Sequence, residues 1–129
     1  MSTRKNIATG APWEDIVGYC RAVHIGHTVE ISGSVAVDHN GQLAGAGSVY
    51  EQTRFIILKA QQVLEQVGFS LADVVRTRVY VIDIARWEEV GRAHGEFFKD
   101  IKPATSMIQV SALIGPEYLV EIEFTAIKS

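Results

Sequence analysis

The sequence predicts an α+β fold, a mixed sheet with two helices on one face in the order β-β-α-β-α-β-β, and three observations carry that prediction. From Thr28 the residues alternate, with Val29, Ile31, Gly33, Val35 and Val37 on one side and Thr28, Glu30, Ser32 and Ser34 on the other. Period two with one apolar face is the pattern of a half-buried strand. Apolar residues then recur at helical spacing twice, at Ile56, Ile57, Ala60, Val63, Leu64 and Val67, and at Trp87, Val90, His94, Phe97 and Ile101. Each helical stretch is followed by strand-like sequence, and 129 residues at 47% hydrophobic content suffice for one core. A single domain over residues 1–129 is therefore expected.

Taken in order, the chain opens irregularly to about Gly18, with Trp13-Glu14-Asp15 read as a loop that packs an aromatic. A short strand follows from Tyr19 to Ile25, and Gly26-His27 turns the chain into the alternating strand. Asp38-His39-Asn40-Gly41 then has hairpin-turn chemistry, because Asn-Gly tolerates positive φ. Ser48 and Glu51 have the spacing of a capping box for the first helix, and Gly68 ends it. The strand Val74–Asp83 sets Val75, Val79 and Val81 against Arg76, Arg78 and Tyr80. Pro103 stops the second helix. Gly91 and Gly95, four apart in that helix, predict a close approach to the sheet or to a neighbouring subunit. Strands over Ser106–Ala112 and Tyr118–Ile127, joined by a small loop, complete the sheet. Two helices cover one face, so the other, with Glu30, Arg76, Arg78 and Glu121, must meet solvent or another chain.

Charge and composition narrow the function. Twelve basic and fifteen acidic residues are interspersed, for a net charge of −3. No basic stripe exists to neutralise a phosphate backbone, so a nucleic-acid partner is not expected. The polar opening Met1-Ser2-Thr3-Arg4-Lys5-Asn6 lacks the apolar stretch of a secretory leader. No apolar run approaches the ~20 residues needed to span a bilayer. With one cysteine, Cys20, no internal disulfide can form. A cytoplasmic protein without membrane contact is the expectation.

No phosphate loop, dinucleotide fingerprint or nucleophile elbow is present. His24 and His27 straddle a turn without an acidic or thiol neighbour, so no metal site is expected and they read as turn histidines. His94 is read as a packed, hydrogen-bonded histidine more readily than as an acid or base. Cys20 lacks a same-face cation to activate it. Glu121 and Glu123 project from one strand face, as do Arg76 and Arg78. Cross-strand ion pairing is one reading of these charges, and a carboxylate that handles a proton in a pocket is the other.

Pro103-Ala104-Thr105-Ser106-Met107, leading to Leu119-Val120-Glu121-Ile122-Glu123-Phe124, resembles the tail signature of the Rid (RidA/YjgF) family. Gly18-Tyr19, Ala22-Val23, Ile31-Ser32-Gly33, the stretch from Gly68 to Val75, and Phe97-Phe98 extend the likeness from about Gly18 to Ile127. The resemblance implies a bacterial chorismate mutase-like fold and a homotrimer with small-molecule clefts between subunits. It also implies hydrolysis of enamine or imine intermediates such as 2-aminoacrylate, without a cofactor. Carried across by residue, it gives Glu121 the catalytic proton and places Tyr19, Ser32, Trp87, Thr105 and Met107 around the substrate. In the family pattern an arginine, which would hold a substrate carboxylate, stands where this chain has Thr105. A threonine hydroxyl donates one neutral hydrogen bond and brings no positive charge. Classical 2-aminoacrylate deamination is therefore not expected, and Arg21, Arg54 and Arg78 are candidate substitute cations. Two functions follow: a cleft hydrolase of enamine- or imine-like metabolites, or a non-catalytic, small-molecule-binding or stress-protective trimer. Some members of the family are described as ribonucleases, which the acidic balance of this chain opposes.

Overall fold

Gly26, at φ +57°, closes a two-residue turn between β2 (Ala22–Ile25) and β3 (Thr28–Ser34), and the sheet grows from this hairpin. The computed structural model describes residues 3–129; Met1 and Ser2, the start of the polar opening, lie outside the described residues. The other strands are β1 (Lys5–Ile7), β4 (Val74–Val81), β5 (Ala104–Gln109) and β6 (Val120–Ile127), and the sheet order is β1-β2-β3-β6-β4-β5. Every neighbouring pair is antiparallel except β4 and β5. That parallel pair requires a crossover, supplied by the helix α2 (Trp87–Phe98). The α+β class and the mixed sheet with two helices on one face are as the sequence predicts.

The core lies between the sheet and the helices. Strand β6 alternates strictly, burying Val120, Ile122, Phe124 and Ala126 while Glu121, Glu123 and Thr125 point away. Against that buried row pack Ile56, Ile57, Ala60, Val63 and Leu64 of α1 (Val49–Glu65), and Val90 and Phe98 of α2. Each such side chain contributes about 1.5–3 kcal/mol on burial. One polar residue joins them: Gln52 of α1 is fully buried and bonds to the backbone of Gly45, Glu117 and Leu119. Ser48 caps α1 by accepting from the Glu51 amide, but Glu51 does not return the bond. The complete capping box is at Ser70–Asp73 instead.

Several expectations are corrected, each for a local reason. The opening segment is not irregular throughout: Lys5–Ile7 pairs with β2 as an edge strand, too short for its alternation to register in the sequence. It adds a strand to the predicted β-β-α-β-α-β-β order. Residues Glu14–Gly18 form one π-helical turn, so Tyr19 and Cys20 precede β2. In that turn Glu14 is buried and Trp13 exposed, the reverse of the predicted aromatic packing, because the Glu14 carboxylate accepts from the Thr9 amide and hydroxyl. Strand β5 runs over Ala104–Gln109, earlier than Ser106–Ala112, drawn forward by its parallel register with β4.

Two bulges account for the remaining strand errors. Ile31 pairs with Phe124 and Ser34 with Ile122, so Ser32 and Gly33 together face one residue of β6. The extra residue switches the buried parity from Val29 and Ile31 to Ser34 and Ala36, leaving Val35 and Val37 half-buried beyond the strand. In β4 the extra residue is Val75, which turns outward while Val74 is buried. Gly91 and Gly95 make no close approach to the sheet; a side chain at either would meet nothing nearer than Trp87 at 4.0 Å.

Candidate functional site

The bulge in β3 builds the first half of the site. Glu121, on the face of β6 away from the helices, lies across the backbone of Gly33. A Cβ added at Gly33 would stand 2.2 Å from the Glu121 Oε2 atom, so only glycine leaves room for this carboxylate. Arg21, one residue before β2, reaches the same place. Its Nη1 donates to the Ser32 carbonyl (3.3 Å), the Gly33 carbonyl (2.8 Å) and the Ser34 hydroxyl (3.0 Å). The guanidinium also lies 5.9 Å from the Tyr19 ring centre, and the Ser32 hydroxyl donates to the Cys20 carbonyl at 2.7 Å. Tyr19, Arg21, Ser32 and Glu121 are thus brought together, with Gly33 as the floor.

The electrostatics suit proton transfer. Burial, and then the neighbouring Glu123 carboxylate, raise the Glu121 carboxyl above its ordinary range, while Arg21 opposes the shift. Lys59, from α1, donates to the Val35 and Val37 carbonyls. Burial and the nearby Arg21 charge draw its ammonium down to about 8. Because Glu121 binds its proton more tightly folded than unfolded, its own contribution to stability is fully present below the ordinary carboxylate pKa and is lost as pH rises through the raised value. Glu121→Gln removes that loss. The melting temperature of the variant relative to wild type is expected to be more favourable at pH 7 than at pH 4, at matched protein concentration. A pH-independent difference would show that the carboxyl is not perturbed.

The second half of the candidate set stands elsewhere. Thr105 is paired in register with Thr77, whose side chain is fully buried on the helix side. The two hydroxyls lie 2.8 Å apart, and the Thr77 hydroxyl lies 3.0 Å from His94 Nε2. The Thr105 hydroxyl also donates to the Pro103 carbonyl at 3.1 Å. His94 is therefore a hydrogen-bonded, partly buried histidine, and burial lowers its pKa. Met107, two residues on, packs against the core from the same strand. Within one protomer Glu121 and Thr105 lie on opposite faces of the sheet, two strands apart.

Trp87, at the start of α2, is more than half exposed and joins neither group. Arg54 is ion-paired with Glu96 at 3.1 Å. Arg78 is exposed in β4, in register with Glu123. Of the three arginines, only Arg21 stands beside Glu121. The cross-strand ion pairs read from the sequence are not formed: among the described residues the pairs are Arg54–Glu96 and Arg86–Glu89, both on the helix side. Arg76 donates to Ser106, and Tyr80 to Glu123. No group of three potential metal ligands occurs among the described residues, and none of the helices is long and apolar enough to cross a membrane. His24 bonds to the Gly26 carbonyl, within its own turn. Sequence reasoning missed Gly33, Thr77 and Lys59; a glycine inside an alternating strand was the one available signal, since it marks a bulge or a close approach.

Comparison with known proteins agrees with this architecture. Residues 9–128 match the family model described as endoribonuclease L-PSP. An uncharacterized protein of Streptomyces coelicolor is 34% identical over 122 residues, 95% of this chain and 90% of that one. The 3-aminoacrylate deaminase RutC of Acinetobacter baylyi is 29% identical over 108 residues, 84% of this chain and 85% of that one. Among solved structures, a Mycobacterium tuberculosis member of the YjgF/YER057c/UK114 family is 44% identical, with a TM-score of 0.86, covering 98% of this chain and 100% of the other.

Proposed function

The chain belongs to the endoribonuclease L-PSP (YjgF/RidA) family, and on that premise we propose that it hydrolyses small enamine- or imine-like metabolites in clefts between the subunits of a homotrimer. The observation that carries the reading is the Glu121 carboxylate, laid over Gly33 beside Arg21 with its pKa raised. A carboxyl poised nearer neutrality can take a proton from an attacking water and return it to the departing amine. Arg21, with no carboxylate within ion-pair distance among the described residues, supplies positive charge on the Glu121 side, where Thr105 supplies none.

The assembly is supported by what a lone protomer exposes. One apolar group, Trp13, Ile16, Val17 and Tyr19, stands by the β1–β2 edge; another, Ile84, Trp87 and Ile108, stands at the β4–β5 end. Two different surfaces at opposite edges are what a head-to-tail ring requires. Such a ring would also set the Glu121 half of one site against the Thr105 half of the next, which no single protomer can do. No cofactor and no nucleic acid enter this reading.

The test is a coupled assay that follows ammonia release from the carboxamide 3-aminoacrylamide and, as carboxylates expected to turn over slowly, from 3-aminoacrylate and enzymatically generated 2-aminoacrylate, alongside sedimentation of the same preparation. Turnover is expected to fall by about 10²-fold or more in Glu121→Gln, with a trimer in sedimentation. Equal release with and without protein would remove the hydrolase reading. Ligand-induced thermal stabilisation without turnover would select the non-catalytic binding trimer, which the absence of a cation at Thr105 favours.

A further inference from the structure

We infer that Thr105 presents a hydrogen-bond acceptor, so that the ligand group meeting it is an uncharged or cationic donor, a carboxamide or a hydroxyl, and not a carboxylate. The inference rests on the proposed cleft only in taking Thr105 to face a ligand. Its argument is a count of protons. A threonine hydroxyl carries one proton and two lone pairs. All three contacts are hydrogen bonds at once only when the Thr105 proton goes to the Pro103 carbonyl, which leaves the 2.8 Å contact with Thr77 to the Thr77 proton. Thr77 then has no proton left for His94, and its 3.0 Å contact is donated by the Nε2–H of the imidazole. Three protons run one way, from His94 to Thr77 to Thr105 to Pro103.

One Thr105 lone pair receives the Thr77 proton, and the other is left for a ligand, since Thr105 is exposed. A carboxylate placed there would set oxygen lone pairs against a lone pair, with no proton between them. An amide N–H or an alcohol O–H would complete the chain instead. Protonation of His94 leaves Nε2–H in place, so the direction does not reverse at low pH. On this reading the threonine offers an acceptor rather than the donor that the sequence suggests. Position 105 inverts the polarity of an arginine, and the substrate class shifts to enamine- or imine-like molecules with a carboxamide or hydroxyl at this end.

Two measurements on the full chain test this. Long-range proton–nitrogen NMR, with His94 assigned by comparison with His94→Gln, should show the Nε2–H tautomer; the Nδ1–H tautomer would reverse the chain and overturn the proposal. Propionamide and propionate are then titrated while the Thr105 methyl resonance is followed. Propionamide is expected to bind about tenfold more tightly than propionate, and Thr105→Arg, at an exposed edge position, to reverse that order. Propionate binding as tightly as propionamide, or neither probe moving the methyl, overturns the proposal. The amide preference should persist in Glu121→Gln. If it appears in a protein without turnover, the hydrolase reading fails and this one stands.

Discussion

Replacing Gln52 with leucine is expected to lower the stability of the chain by about 3 kcal/mol, among the largest losses available from one near-isosteric change. The side-chain amide donates to the Gly45 carbonyl at 3.2 Å and the Glu117 carbonyl at 3.1 Å, and accepts from the Leu119 amide at 2.9 Å. Those contacts tie two connecting segments to the first turn of the first helix: the one after the bulged strand and the one before the last strand. Leucine nearly fills the same volume, so no large cavity forms. What remains is the cost of three backbone groups deprived of their partner, roughly 1 kcal/mol or more each. Urea denaturation should show a lower midpoint with an unchanged slope. A loss below about 1 kcal/mol would mean that water reaches these groups and the amide is not what holds the loops.

Gly33→Ala is expected to abolish the Glu121-dependent activity while leaving the fold intact. The new methyl carbon would stand 2.2 Å from Oε2, at the far end of a flexible side chain, so the carboxylate moves aside and the strand stays. Turnover should fall about as far as in Glu121→Gln, by about 10²-fold or more, with stability changed by less than about 1 kcal/mol. A readout independent of activity accompanies it. Displaced towards water, the Glu121 carboxyl should titrate closer to the ordinary glutamate range, as carbon-detected NMR would show. An alanine variant with an unmoved Glu121 titration and full turnover would show that the carboxylate does not depend on the glycine floor.

The elements with long, regular periods were legible from the residues. Both helices and the central alternating strands stand close to where their spacing put them, because apolar periodicity reports the face that the core demands. Errors collected where one residue breaks the period. The Ser32–Gly33 and Val75 bulges each shift the parity of a strand, and an insertion of one cannot be told from continued alternation without knowing the partner strand. Lys5–Ile7 was missed for the opposite reason, since three residues carry no period. In the candidate site, Glu121, Tyr19, Ser32 and Arg21 were named from the sequence and stand together. Their relation to Thr105 was not legible. That two residues lie on opposite faces of a sheet follows from the register of β4 with β5, which no single segment encodes. Buried polar contacts were the hardest to foresee: Gln52, Glu14 and Thr77 sit in stretches that any surface glutamine, glutamate or threonine would equally suit.

The order of the strands has a bearing on how the chain is made. β6, the last of the described strands in chain order, lies at the centre of the sheet between β3 and β4. Until it leaves the ribosome, the hairpin of the first half and the crossover unit of the second have no shared partner, and each presents a bare edge. The nascent chain must hold two incomplete sheets apart during translation and join them in one late step. Any message that terminates before Val120 would then release a product with two open edges rather than a trimmed version of the fold, which makes it a natural client for chaperones and proteases.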